Sequence, residues 1–132
     1  SIFSAIKKCG VEKNFIHVKN PSNDDLNILY NKATSLIFPS FGEGFGLPIV
    51  EAMSAGCPVI TSEGSSTGEI AGKAGLLINP KEIESIKSAM EQIAENSSLR
   101  EELIAKGLLR ASEFSWIKTA QKHKEGYKRL MK

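Results

Sequence analysis

The chain has 132 residues, of which 41% are hydrophobic and 24% charged, so it can bury one core and is predicted to form a single domain over 1–132. A formal net charge of +2 gives no reason to expect a nucleic-acid partner, and two cysteines, Cys9 and Cys57, exclude a disulfide framework. No apolar run reaches the ~18 residues of a membrane span and Ser1 opens no signal peptide, so we predict a cytoplasmic protein.

The elements predicted in chain order alternate between strands and helices. Apolar periodicity, with capping residues at the ends, predicts seven helices: 2–9, 23–33, 48–55, a short helix from Thr67, 81–96, 98–114 and 116–132. Short runs of β-branched and aromatic residues predict four strands: 14–18, 34–38, 57–62 and 74–79. This alternation is typical of βαβ units, and it predicts an α/β fold with a parallel sheet flanked by helices.

Several residues mark where the helices begin. Serine followed three residues later by an acidic residue predicts N-caps at Ser22 (with Asp25), Ser66 (with Glu69) and Ser98 (with Glu101). Pro48 suits the first helical position because its missing N–H has no intrahelical partner there. Ser115 is predicted to start the last helix, and the aromatic residues beside it, Phe114 and Trp116, are predicted to anchor the core.

The turn before Pro48 combines glycines with a helix start. Gly42, Gly44 and Gly46 permit positive φ angles and leave no side chain between a ligand and the backbone. The free N–H groups at the N-terminus of the following helix carry a partial positive charge, which favours a phosphate or diphosphate. In a parallel α/β sheet such turns lie beyond the carboxyl ends of the strands, which is where ligands bind.

Two carboxylates flank this glycine-rich turn. Glu51 is predicted in the first turn of the helix, and because it would repel a diphosphate we expect it to accept hydrogen bonds from a neighbouring ribose diol. Glu43, earlier in the loop, would reach another end of the ligand, so the pattern indicates a sugar nucleotide. The alternative is that Glu51 only complements the helix dipole and that Glu43 is a solvated loop residue. The residues by themselves leave both interpretations open.

The segment FPSFGEGFGLPIVEAMSAGCPVITS, residues 38–62, resembles the donor-site signature of the glycosyl transferases group 1 family, retaining glycosyltransferases with the GT-B architecture. That signature has two glutamates separated by seven residues, with Gly-Phe-Gly-Leu-Pro among those seven. GEIAGKAGLLINP (68–80) and REELIAKGLLRASEFSW (100–116) resemble later segments of the same family. The resemblance runs from about Asn14 onward and implies a partial, Rossmann-like C-terminal domain, the donor-binding half of such an enzyme.

The resemblance implies roles for particular residues. Glu43 would lie beside the transferred sugar as the catalytic residue, and Glu51 would bind the ribose. The implied donor contacts are Gly44, Phe45, Gly46 and Leu47, whose backbone amides would meet the sugar and diphosphate, together with Ser65, Ser66 and Thr67 at the turn into the next helix.

The implied reaction transfers a glycosyl group from a nucleoside diphosphate sugar to an acceptor hydroxyl, with retention, in polysaccharide or glycoconjugate biosynthesis. No metal or other cofactor is expected, because Asp24 and Asp25 are adjacent and do not form an Asp-x-Asp clamp. The acceptor, a glycan or lipid-linked sugar, would be held by an N-terminal domain that this chain lacks, so the isolated chain is expected to bind nucleotide weakly and to be inactive. The alternatives are a sugar-nucleotide epimerase of the same architecture and a non-catalytic nucleotide-binding module.

The last predicted helix is rich in basic residues: Lys118, Lys122, Lys124, Lys128, Arg129 and Lys132. A solvated helix whose apolar side packs on the domain is the favoured interpretation. Because basic amphipathic helices also bind anionic lipid, peripheral contact with the inner membrane surface is the alternative.

Overall fold

A computed structural model describes residues 1–131 of the chain. Its α-helices are α1 (Ile2–Cys9), α2 (Asn23–Lys32), α3 (Leu47–Ser54), α4 (Ser66–Ala71), α5 (Ile83–Glu95), α6 (Ser97–Ser112) and α7 (Trp116–Leu130). The strands are β1 (Leu36–Phe38), β2 (Val59–Ser62) and β3 (Gly75–Ile78), and two short 3₁₀ turns span Glu12–Asn14 and Gly72–Ala74. The predicted last helix extended to residue 132, which lies outside the described residues.

The three strands form one parallel sheet in the order β1–β2–β3. Leu36 of β1 lies opposite Val59 of β2, and Val59 lies opposite Gly75 of β3. Between consecutive strands the chain passes through α3 and then α4, so two βαβ units build the sheet. The predicted α/β fold with a parallel sheet flanked by helices is confirmed.

The core lies on both faces of this sheet. Every residue of β2 is buried, and the alternation of side chains along the strand sends Val59 to one face and Ile60 to the other. On the Val59 face, Ile49 and Met53 of α3 form a cluster with α4 and the end of α6. On the Ile60 face, Ile93 packs with other residues of α5 and α6. The sheet is therefore fixed between two helical layers, and the loops at the strand ends start from rigid elements.

Residues 14–18 do not form the predicted strand. This segment lies beside α1, where the Phe3 ring contacts the rings of Phe15 and His17 at centroid distances of 6.3 and 5.2 Å. Ile16 is 86% exposed. A strand needs a neighbouring strand as a hydrogen-bonding partner. The segment 14–18 has none in the part of the chain that the structure describes, because the sheet ends at β1. Local β propensity was insufficient to create a strand here.

The helix caps confirm some of the predictions and correct others. Ser22 and Asp25 form the predicted capping box on α2, and Ser115 caps α7 by accepting from the N–H of Lys118. The cap of α6 is Asn96 rather than Ser98, since the Asn96 side chain accepts from the N–H of Leu99 at 2.9 Å. Asn96 is as good an N-cap as serine, so the predicted cap was placed two residues late and the predicted helix 98–114 began one residue late.

The first and last helices bury none of their residues. Phe114, just before α7, packs against the core as predicted, whereas Trp116 is 80% exposed and is not a core anchor. Within residues 1–131, no helix combines the length and the apolar character that crossing a bilayer requires. The basic side chains of α7 that the structure describes are exposed to solvent.

Candidate functional site

The glycine-rich turn occupies residues 39–46, between the end of β1 and the start of α3. Gly46 is the N-cap of α3 and has a φ angle of 103°, and a Cβ atom there would lie 3.3 Å from side-chain atoms of Ile49 and Thr67. Gly42 and Gly44 do not have positive φ angles, and a Cβ on either would meet no protein atom within 4 Å. The backbone therefore requires glycine only at position 46, while the other two leave open space above the turn.

Glu43 is exposed at the tip of this turn, and two hydrogen bonds determine its position. Its Oε1 accepts from the Ser40 hydroxyl at 3.0 Å, and its backbone carbonyl accepts from the Ser66 hydroxyl at 2.6 Å. Ser40 lies at the start of the turn and Ser66 is the first residue of α4. Hydrogen bonds thus connect Glu43 both to the start of its own turn and to α4, and they restrain its side chain and its backbone.

Glu51 lies on α3 and points toward α2. Because α3 begins at Leu47, Glu51 is the fifth helical residue and not in the first turn as predicted. The first turn of α3 contains no acidic side chain, so the interpretation of Glu51 as a dipole-complementing residue loses its geometric basis. Glu51 instead accepts a hydrogen bond from the Tyr30 hydroxyl at 3.3 Å.

Tyr30 gives the folded state a pH-dependent contribution to stability. Burial, together with the negative charge of Glu51, raises the pKa of Tyr30 to about 12. A raised pKa means that the folded state favours the protonated phenol, so this contribution is complete below about pH 10 and is lost as the pH approaches about 12. We expect the thermal midpoint of the wild type to fall more between those pH values than that of Tyr30→Phe. Equal falls would contradict the prediction, and Tyr127→Phe, at an exposed tyrosine, is the matched control.

The second predicted turn, Ser65 to Thr67, lies at the start of α4 and contacts the first turn. The structure does not form the predicted capping box, because Ser65 is the N-cap position and makes no side-chain cap, while Ser66 bonds to Glu43. Thr67 is fully buried, and its hydroxyl bonds to the Ser62 carbonyl and to Ser65. Of these three residues, Ser65 and Ser66 are partly accessible, whereas the burial of Thr67 contradicts its predicted contact with the donor.

An aromatic contact connects the turn to the end of α6. The exposed Phe45 ring meets the Phe114 ring edge-to-face at a centroid distance of 5.8 Å. The Arg110 guanidinium lies 4.9 Å from the centre of the Phe114 ring and donates to the carbonyls of Glu69 and Ile70 at the end of α4. Phe114 therefore connects Phe45 of the turn to Arg110, which is itself held by the end of α4.

Two adjoining cavities border α3. The larger, of about 420 Å³, is lined by Glu51, Tyr30 and Leu47 together with Asn23, Asn27 and Trp116. The smaller, of about 170 Å³, is lined by Phe45, Leu47, Phe114 and Trp116. The structure thus brings Phe45, Leu47 and Glu51 to neighbouring hollows, whereas Glu43 lines neither of them and lies on the α4 side of the turn.

Sequence reasoning missed three residues that define this site. Ser40 and Tyr30 hold the two glutamates by hydrogen bonds, and Phe114 was predicted for the core without its contact to Phe45. Tyr30 lies on a helix 21 residues before Glu51, so its hydroxyl meets that carboxylate only through the packing of α2 on α3. Ser40 lies three residues before Glu43 in the same turn, and this spacing could have predicted their hydrogen bond.

Fold and site together define a Rossmann-like α/β domain with a carboxylate-bearing turn at the carboxyl end of its first strand, as in one half of a GT-B glycosyltransferase. A solved structure of sucrose-phosphate synthase from Thermosynechococcus elongatus matches 98% of this chain and 33% of its own, with a TM-score of 0.89 and 25% identity. The chain belongs to the glycosyl transferases group 1 family, whose family model matches residues 1–110.

Curated relatives are also glycosyltransferases. O-antigen chain mannosyltransferase B from Escherichia coli is 42% identical over 108 residues, which are 82% of this chain and 28% of the relative. GDP-mannose:cellobiosyl-diphosphopolyprenol alpha-mannosyltransferase from Komagataeibacter xylinus is 30% identical over 128 residues, 95% of this chain and 33% of the relative. The chain therefore spans a third or less of the length of these proteins.

Proposed function

We propose that residues 1–132 are the donor-binding domain of a retaining glycosyltransferase that takes mannose from GDP-mannose. The two curated relatives described above, from Escherichia coli and Komagataeibacter xylinus, are named as mannosyltransferases, and the name of the second includes GDP-mannose. The acceptor hydroxyl, on a glycan or a lipid-linked sugar, is held by a further domain. The paired glutamates favour transfer over the epimerase alternative, and the names of the relatives point the same way.

The observation that carries this proposal is the unpaired backbone of the glycine-rich turn. In the part of the chain that the structure describes, the N–H groups of Gly44, Phe45, Gly46 and Leu47 donate to no protein acceptor. Gly44, Phe45 and Leu47 are exposed whereas Gly46 is buried, so three of these free donors are suited to the sugar hydroxyls and diphosphate of a donor. Ser66 holds the same turn by its bond to the Glu43 carbonyl, so these donors are fixed before the ligand arrives.

The cavity beside Glu51 is suited to the nucleoside end of the donor. The Glu51 carboxylate lines it and can accept from both hydroxyls of a ribose. Beyond Glu51 the walls combine apolar and aromatic side chains, Leu47 and Trp116, with the amides of Asn23 and Asn27. An apolar wall with a few polar groups is the usual lining of a pocket for a flat, hydrogen-bonding ligand such as a nucleobase.

The proposed chemistry separates charge between the two ends of the turn. As the bond from the anomeric carbon to the phosphate oxygen lengthens, negative charge grows on the leaving diphosphate and positive charge on the sugar ring. The free N–H groups stabilise the diphosphate, and the Glu43 carboxylate stabilises the ring. The proposal includes no metal, because Asp24 and Asp25 are adjacent and the Asp25 carboxylate already accepts from the backbone N–H and the hydroxyl of Ser22.

A thermal-shift screen of this chain tests donor binding. GDP-mannose and GDP are expected to raise the unfolding midpoint more than UDP-glucose or ADP-glucose, because a ligand that binds only the folded state stabilises it by about 2.7 kcal/mol at one hundred times its Kd. Glu51→Ala is expected to remove most of that shift. The matched control is Glu91→Ala, which changes an exposed glutamate of α5.

The absence of a shift with every nucleotide at millimolar concentration would contradict the proposed function. A larger shift with another nucleotide sugar would overturn the assignment of GDP-mannose and would leave the donor-binding role in place.

A further inference from the structure

Tyr30 connects two elements of the site that are distant in sequence. It lies on α2, and its hydroxyl donates to Oε2 of Glu51 on α3, 21 residues further along the chain. The phenol ring is partly buried against the core cluster that contains Ile49 and Met53 of α3. The ring position is therefore set by packing, and the hydroxyl is presented to Glu51 from a fixed place.

Glu51 needs such a partner if its carboxylate is to have one orientation. The side chain is exposed, and within residues 1–131 the Tyr30 hydroxyl is its one hydrogen-bond donor. A free glutamate side chain populates several rotamers, and ordering it on binding costs free energy. A hydrogen bond present before the ligand arrives removes part of that cost.

The bond to Tyr30 also leaves the carboxylate able to bind a ligand. An ionised carboxylate has about four lone-pair positions, and Tyr30 uses one of them, so both hydroxyls of a ribose can still be accepted. The Tyr30 hydroxyl is a donor at neutral pH, since an ordinary phenol is protonated there and burial raises the pKa of Tyr30 further, to about 12.

We propose that Tyr30 is a positioning residue that holds the Glu51 carboxylate in the orientation in which it accepts the ribose hydroxyls of the donor. This inference rests on the proposed function, since it needs Glu51 to bind a ribose. It adds a residue from α2 to the donor site, outside the turn that carries the family signature.

A double-mutant cycle on this chain tests the inference. The variants are Tyr30→Phe, Glu51→Ala and the double substitution, and the probes are GDP and 2′,3′-dideoxyguanosine diphosphate, titrated with NMR detection. Tyr30→Phe is expected to weaken GDP binding by about threefold to fivefold, the effect of losing one hydrogen bond to a charged group that is partly exposed. The same substitution should have no effect in the Glu51→Ala background or with the dideoxy probe.

The outcomes separate this inference from the proposed function. If Tyr30→Phe lowers the affinity equally for both probes and in both backgrounds, Tyr30 acts through packing. That result overturns the inference and leaves the proposed donor site intact. Equal binding of the two probes by the wild type, with no effect of Glu51→Ala, overturns the ribose role of Glu51 and the inference with it. Tyr127→Phe is the control for removing a hydroxyl, and unfolding midpoints check that each variant is folded.

Discussion

Replacing Glu43 with glutamine is expected to lower kcat by about a hundredfold to a thousandfold, the effect of removing one preorganised electrostatic group from an active site. Glutamine keeps the shape of the side chain and can still accept from Ser40, so the turn keeps its conformation while the negative charge beside the sugar is lost. The assay follows mannose transfer from GDP-mannose by the full-length polypeptide that carries this chain. The chain alone is expected to give no glycoside.

Donor binding must be measured beside the rate. The Kd for GDP should stay within about twofold of the wild type, because Glu43 is proposed to act on the sugar ring and not on the nucleotide. Glu91→Gln, on a helix distant from the turn in sequence, is the control for neutralising a glutamate. Full transfer activity in Glu43→Gln would exclude a catalytic role and would favour the non-catalytic nucleotide-binding module.

Replacing Gly46 with alanine is expected to destabilise the folded chain by about 1–3 kcal/mol, the cost of a side chain in a backbone region that L-residues rarely occupy. The φ angle of 103° is one cause, and the second is that the new Cβ would lie 3.3 Å from atoms of Ile49 and Thr67. Both neighbours are buried, so neither can move aside freely. Urea unfolding measures the change.

Gly44→Ala is the matched control for Gly46→Ala. Position 44 has no positive φ angle and no protein atom within 4 Å of an added Cβ. Gly44→Ala should therefore change the free energy of unfolding by less than about 0.5 kcal/mol. The added methyl group would instead occupy the open space proposed for the donor and weaken GDP-mannose binding. If the two variants were equally stable, the strain assigned to Gly46 would be refuted.

Local signals in the sequence predicted most of the fold. The buried strand ending at Ser62 and the helix opened by Pro48 are each specified by a short segment, since apolar residues, a proline and flanking glycines stand together. Residues 14–18 show the limit of this reasoning, because a strand also depends on a neighbour that its own residues do not encode. The helix start near Asn96 was misplaced because several residues in succession can cap a helix equally well.

Part of the candidate site was predictable because some of its residues are close together in the sequence. Glu43, Gly46 and Glu51 lie within nine residues of one another, so one motif contains them. Ser66 was predicted as a cap because its spacing to Glu69 suits a capping box, but in the fold its hydroxyl reaches a carbonyl 23 residues away. The sequence pattern gave no signal for the contact between Tyr30 and Glu51. Contacts that depend on helix packing cannot be read from spacing alone.

The support that Phe114 gives to Phe45 has a consequence for where this domain ends. The family model stops at residue 110, yet the ring that braces the glycine-rich turn lies four residues beyond that limit. A polypeptide that ended at residue 110 would retain both glutamates and lose the contact between Phe114 and Phe45. The side chain that contacts this turn from the end of α6 thus lies outside the segment that the family model matches.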